Sequence, residues 1–468
     1  MVPEKEKGIN ISAKSFLAAI AIIFLLMLLS YILTLVIPGG EYIRTLDENG
    51  NTVIDPEAGF RYVEGGLPFW KWLLSPILVL GSDGSAALIA VIIFLLVIGG
   101  VFNALTEYGM MHYMLGRLVS RFGAFRYRLM LILILFFMAM GSLVGSFEEI
   151  VPLVPIVVPL ALALGWDAET GIAMSLLAVG CGFAAGVANP FTIGVAQTLA
   201  GLPMFSGIWL RLLAFVCIFA LLYMFVYLHA TKLKGAGDAE FRHTVTMRNA
   251  GMEKGLRLFA VIVGLGILIV LSSGFIAAIR DYTMIIVAVM FLAAGISSLL
   301  AAGMSGSELR KAFFSGVVKV SPSVLMILMA ASIKYIMVEG HILDTLLHGA
   351  VTAANGMSRA GLILFIDLIC LVMNFFIPSG SAKAFLLIPL IVPLAQLFGI
   401  SAQLCIVAFA FGDGFSNVFY PTNPALLISL GLADVSYGKW AAYSWKFQVL
   451  NLILTSGLLL FGLAVGYA

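Results

Sequence analysis

Long apolar segments recur along the chain, at about 15–37, 86–106, 127–165, 170–201, 205–231, 257–279, 283–302, 320–340, 361–399, 402–432 and 441–466. About 20 consecutive apolar residues cross a bilayer once. Repetition on this scale therefore excludes a soluble globule and a singly anchored protein alike. Charged residues make up 11% of the 468 and hydrophobic ones 62%, against the roughly 25% charge of a soluble domain. The expected fold is an all-α polytopic protein, multi-pass in the cytoplasmic (inner) membrane. The first apolar run follows Lys5, Lys7 and Lys14. It exceeds the roughly 7–15-residue apolar region of a signal peptide and no small-x-small site follows it, so it reads as a retained first helix.

Other classes fall away quickly. The net charge is +2 and no basic run carries interleaved aromatics, so a nucleic-acid partner is not expected. Cys181, Cys217, Cys370 and Cys405 lie singly in apolar stretches and the histidines are scattered, which suits neither a disulfide framework nor a metal site. No H-E-x-x-H or G-x-S-x-G occurs among the apolar segments, so an enzyme is not expected.

Segments 127–165 and 361–399 are too long for one span, and each is interrupted near its middle, by Gly141-Ser142-Leu143-Val144-Gly145-Ser146 and by Pro378-Ser379-Gly380-Ser381. That pattern predicts re-entrant hairpins, because non-helical backbone at membrane depth survives only where protein or a water-filled cavity satisfies it. Lys232, Lys234, Arg242, Arg248 and Lys254 in the 232–256 loop, and Arg117, Arg121, Arg126 and Arg128 before the first hairpin, mark the cytoplasm. The acidic 38–75 loop is placed outside. Nine full spans and two hairpins then carry the amino terminus inside and the carboxyl terminus outside. The amphipathic segments 107–123 and 341–358 are expected to lie along the membrane surfaces as arms.

One spacing organises the chain. Pro155 and Pro389, Pro159 and Pro393, Gly165 and Gly399, and the pairs Asn189-Pro190 and Asn423-Pro424 are all separated by 234 positions. A single offset joining separate motifs predicts a repeat. The charge rule makes it an inverted one: residues 1–234 form the first repeat, 235–256 a cytoplasmic linker and 257–468 the second. Inverted repeats with interrupted helices in matching places point to a secondary transporter that binds substrate near the midplane.

The candidate site gathers at the hairpin tips and helix breaks. Gly145-Ser146-Phe147-Glu148-Glu149 puts adjacent carboxylates at membrane depth, where they need a cavity or a partner. Lys383, in Ser379-Gly380-Ser381-Ala382-Lys383, is the offset equivalent of Glu149. Two readings stay open: an ion pair between the tips, or contacts to a substrate with charged ends. The broken helices, Gly180 to Thr192 with Asn189-Pro190, and Gly412-Asp413-Gly414-Phe415-Ser416-Asn417 followed by Pro421-Thr422-Asn423-Pro424, free carbonyls for a cation. Their half-helix amino ends favour a carboxylate. Asp413 could ligate Na⁺ or carry a proton, whereas Asp367 reads as a buried capping or pairing residue.

At these residues the chain resembles the anaerobic four-carbon-dicarboxylate carrier family, in its YfcC-type branch, which includes proteins described as basic amino acid or arginine/ornithine antiporters. The resemblance runs over nearly the whole chain. It is carried by Glu148-Glu149 with the proline run after it, Asn189-Pro190-Phe191-Thr192, Ile377-Pro378-Ser379-Gly380-Ser381 and Phe411-Gly412-Asp413-Gly414-Phe415-Ser416-Asn417. Lys383 stands where that pattern usually has an uncharged residue, and Asn423-Pro424 where it has a Ser-Gly-like pair. The resemblance implies the ion transporter superfamily architecture: a scaffold, a mobile domain holding both hairpins, a homodimer and elevator-like movement.

The expected function is coupled transport of a small carboxylate-bearing metabolite, leaning to an arginine- or ornithine-like amino acid, with a four-carbon dicarboxylate as the alternative and a channel as the remote one. Ser146, Glu148, Glu149, Asn189, Pro190, Thr192, Ser379, Ser381, Lys383, Asn417, Thr422 and Asn423 would bind substrate. Gly145, Asn189, Gly380, Asp413, Ser416 and Asn423 would hold the coupling ion, Na⁺ or H⁺. Membrane lipid is the other expected partner.

Overall fold

Lipid leaves backbone groups no solvent partner, so spanning segments must satisfy them internally. The computed structural model follows that constraint, with helix over most of the residues it describes: 13–46, 52–54, 59–82, 85–145, 147–233, 249–272, 282–354 and 356–468. Among the described residues, nine helices are long and apolar enough to cross a membrane. The protein is a multi-pass, helical membrane protein. Ser146, most of the 235–256 linker and the end of the 257–279 segment lie outside the described residues.

The helices that frame the site are α1 (Ala13–Val36), α2 (Phe69–Leu78), α3 (Ser85–Glu107), α4 (Met110–Phe122), α5 (Arg126–Ala139), α6 (Val154–Ala163), α7 (Ala168–Ile172), α8 (Ala178–Ala185), α9 (Val195–Leu199) and α10 (Ile208–Lys232). They continue as α11 (Ala250–Ser272), α12 (Thr283–Ala302), α13 (Gly306–Val320), α14 (Pro322–Glu339), α15 (Leu343–Ala353) and α16 (Arg359–Phe376). The last are α17 (Gly380–Leu397), α18 (Ala402–Gly414), α19 (Pro424–Leu432) and α20 (Tyr437–Ala464).

Three features depart from the sequence expectation. The 38–75 loop carries two short antiparallel strand pairs, Gly40–Tyr42 with Phe60–Tyr62 and Arg44–Leu46 with Thr52–Ile54, and then α2. The loop docks on α15, where Asp344 accepts from the Tyr42 amide at 2.9 Å and from Arg44 Nη2 at 2.8 Å. Helix α11 begins inside the segment assigned to the linker, because Asn249 Oδ1 caps it by accepting from the Gly251 and Met252 amides. Helix α13 was missed through its charges. Its start is written in a capping box, Ser305 with Glu308.

Each long interrupted segment closes at its base. Arg126 Nη1 donates to the Leu164 carbonyl at 3.0 Å, and Arg359 Nη2 donates to the Gly399 carbonyl at 2.5 Å. The two ends of each segment therefore meet.

Between these folded-back segments, glycines let backbones touch. A Cβ at Gly182 would overlap the Met138 carbonyl on α5, one at Gly412 would strike Cys370 of α16, and one at Gly414 would overlap Ala184 of α8. Helices α5, α8, α18 and α16 thus form one close-packed layer. A second apolar cluster joins Ile23 and Met27 of α1, Trp72 of α2 and Ile333 and Ile336 of α14. There Trp72 Nε1 donates to the Met27 carbonyl at 3.1 Å, and Lys71 pairs with Glu339 at 2.8 Å.

Candidate functional site

Helix α8 stops at Gly186, whose φ of +49° is the left-handed conformation glycine adopts without strain. The chain is unwound to Asn189, where a new helix starts. Asn189 Oδ1 accepts from the Phe191 amide at 2.9 Å and the Thr192 amide at 3.3 Å, with Pro190 in the first helical turn where its missing N–H costs nothing. The second break repeats the device. Asn423 Oδ1 accepts from Ala425 at 2.9 Å and Leu426 at 3.3 Å, with Pro424 opening α19.

The hairpin tips abut these breaks. Gly145 (φ +76°) lies directly on Asn189, with no room for a Cβ. Ser142 Oγ accepts from the Val187 amide at 3.0 Å and the Ser142 carbonyl accepts from the Ala188 amide at 3.0 Å, so the first tip supplies bonds that the unwound stretch cannot make itself. At the second tip, a Cβ on Gly380 would strike Thr192 and Oδ2 of Asp413. The tip of one half therefore rests on the break of the other.

A cavity of about 970 Å³ opens at this junction. The first tip lines it with Gly145, Glu148 and Glu149, the second with Ser379, Gly380 and Ser381, and the second break with Asn417, Thr422 and Asn423. The facing wall is α14, which contributes Lys334, Tyr335 and Glu339, flanked by Leu88 and Val91 of α3. Phe147, Phe183, Phe191 and Phe376 supply apolar surface. Glu148 and Glu149 thus line it from the first tip, and Lys334 lines it from α14, where Glu339 is paired with Lys71.

Several residues expected at the site stand behind its wall. Asn189, Pro190 and Thr192 are fully or nearly fully buried and do not line the cavity. Asp413 and Ser416 lie below the second tip. Lys383 is fully buried one turn into α17 and pairs with Asp413 Oδ1 at 2.5 Å. The ion pair of Lys383 is therefore made within the second half. Asp367 is buried with Oδ1 lacking a hydrogen-bond partner, so the pairing expected for it is not seen at that oxygen.

Sequence reasoning did not single out Lys334, Tyr335, Asn374 or Arg211. Arg211 is buried in α10, where Nε donates to the Val187 carbonyl at 3.3 Å and Nη2 to that of Phe205 at 3.2 Å, bracing the first break. Each of the two basic residues was a charge inside an apolar segment, which is the signal that finds such sites.

Comparison with known proteins now fixes the class: this is a membrane transporter and not an enzyme. The family model for the C4-dicarboxylate anaerobic carrier, DcuC, matches residues 16–464, and the chain belongs to that family. A relative from Escherichia coli (strain K12), "Putative basic amino acid antiporter YfcC", is 28% identical over 404 residues, spanning 81% of this chain and 78% of its own. An "Uncharacterized protein" of Haemophilus influenzae is 24% identical over 380 residues, spanning 77% and 73%. Among solved structures, the Alcanivorax borkumensis YdaH transporter matches over 97% of this chain and 99% of that one, at 18% identity and a TM-score of 0.44. Neisseria gonorrhoeae MtrF, described within a class of antimetabolite efflux pumps, matches over 94% of each chain at 17% identity and a TM-score of 0.45.

Proposed function

We propose that this protein is a secondary active transporter of an amino acid with a basic side chain, arginine- or ornithine-like, working by Na⁺- or H⁺-coupled transport or exchange. The observation that carries the reading is the charge layout of the cavity. Glu148 and Glu149 face it from the first tip, Lys334 from α14, and Lys383 is engaged with Asp413 behind the wall. A substrate with an amino end and a carboxylate end fits across that space. Its carboxylate also finds Ser379, Ser381 and the amino end of α17.

The two halves act as inverted repeats in this reading. The supporting geometry is reciprocal: Gly180 packs on Val418, and Gly414, its equivalent 234 positions on, packs on Ala184, the equivalent of Val418. Segments 127–201 and 361–432 move together as an elevator, while 86–106 and 320–340 belong to a scaffold that dimerises. The amino terminus lies on the cytoplasmic side of the inner membrane and the carboxyl terminus on the outer side.

A four-carbon dicarboxylate is the second reading, favoured by Lys334 and the amino end of α17. Counterflow into proteoliposomes decides between them, with labelled arginine, ornithine, succinate and fumarate. Saturable exchange of arginine or ornithine without single-channel current is expected. Exchange of the dicarboxylates alone refutes the amino acid assignment.

A further inference from the structure

Lys383 carries its amino group into a fully buried site, where an ion survives only with close partners. Those partners are Oδ1 of Asp413 and Oδ1 of Asn374, each at 2.5 Å, with the Phe409 ring centroid 5.8 Å away. Asn374 Nδ2 in turn lies within hydrogen-bond distance of the Asp413 carbonyl at 2.9 Å, Ser416 Oγ at 2.6 Å and Asn417 Oδ1 at 2.9 Å, sharing its two hydrogens among them. Asn423 Nδ2 donates to the same Asn417 oxygen at 3.0 Å. A carboxylate, an amide oxygen, a hydroxyl and carbonyls beside a helix break are the oxygen ligands that hard cations take. Asp413 Oδ2 is buried with no hydrogen-bond partner and faces the backbone of Gly380 at the amino end of α17.

This nest exists in one half only. At the equivalent offset, Asp413, Asn374, Ser416 and Asn417 correspond to Val179, Met140, Gly182 and Phe183, which offer no ligating side chain. Lys383 itself corresponds to Glu149, which lines the cavity. The second half thus has both the oxygen ligands of a cation site and a side chain that delivers a cation to them.

We propose that Lys383 is a built-in cation: its ammonium permanently fills an oxygen nest made by Asp413 Oδ1 and Asn374 Oδ1, so the second half binds no coupling metal ion, and removing the ammonium turns the nest into an alkali-cation site. The substrate plays no part in this, so the test is run without one and its failure is separate from failure of the transport assignment.

Thermal unfolding of the purified protein is measured in NaCl, KCl and choline chloride at equal ionic strength. The K383A variant is expected to gain a melting-temperature rise of several degrees with Na⁺ or K⁺, saturating with concentration, beyond any rise in the wild type. The K383M/D413N variant, which keeps volume and removes both charges, is expected to respond as the wild type does. Two outcomes overturn the proposal: folded K383A responding no more than the wild type, or a wild-type response that K383M/D413N loses. Should K383A fail to fold in choline, recovery in Na⁺ or K⁺ supports the proposal. Failure in every salt leaves the comparison of wild type with K383M/D413N to decide, an equal response supporting it and a lost one refuting it.

Discussion

Gly414 of α18 meets Ala184 of α8 backbone to backbone, with no space for a side chain between them. The contact lies directly under the second break, so it fixes how closely the two broken helices approach and hence where both tips rest. Adding a methyl group must push the helices apart, and overpacking of this kind costs about 1–3 kcal/mol. G414A is therefore expected to lower the melting temperature and to reduce transport. G457A, at an exposed position in α20 where a Cβ meets nothing, is expected to leave transport unchanged and stability equal or slightly higher. Melting curves of the two variants against wild type check both expectations.

The Lys383–Asp413 pair makes a sharper prediction about energy. Both side chains are fully buried, so removing one partner strands the other, at about 3–5 kcal/mol. K383M and D413L are each expected to be strongly destabilised, while K383M/D413L recovers most of the loss, since apolar replacement of a buried pair is often near neutral. The double-mutant cycle measures this in thermal or denaturant unfolding. A double variant that loses the sum of the two single losses would show that the pair is not coupled.

These two contacts show where the sequence was legible and where it was not. Glycine, proline and asparagine punctuate the apolar segments, and their constant spacing pointed to the breaks and tips because few other residues can end a helix inside a membrane. What the spacing could not give was direction. Lys383 is near the second tip in sequence, yet one helical turn carries it behind the wall. Lys334 is a charge inside a span that reads as scaffold, and nothing local says which of its faces meets the cavity. Asn189 and Asn423 stand at the breaks, and their oxygens cap the helices they begin. Helix α13 was hidden because charge marks it as surface, while its glycine-mediated contact with α3, where Gly316 meets Gly99 and Asn103, depends on packing.

Across the cavity, Glu149 and Lys334 are expected to act on opposite ends of the substrate. A hydrogen bond to a charged group contributes about 1.5–3 kcal/mol, roughly ten- to a hundredfold in apparent affinity. E149Q is expected to raise the KM for a basic amino acid by about that factor. K334M should do the same for any substrate with a carboxylate, without changing the preference for the basic end. Uptake by proteoliposomes over a range of substrate concentrations separates these effects. Improved uptake of a dicarboxylate by E149Q would instead show that its carboxylate repels the true substrate.

Elevator movement predicts that one residue at the second tip faces both sides of the membrane in turn. Ser381 lines the cavity and is partly exposed, so a cysteine there reports access. Among the native cysteines, Cys181, Cys370 and Cys405 are buried and Cys217 is partly exposed, so C217S supplies a quiet background. A membrane-impermeant maleimide is expected to label S381C from outside in right-side-out vesicles and from inside in inverted ones. Substrate at saturating concentration should slow labelling from both faces, since it occupies the same cavity. A tip fixed in the membrane would be labelled in only one of the two preparations, and that result would exclude alternating exposure of this site.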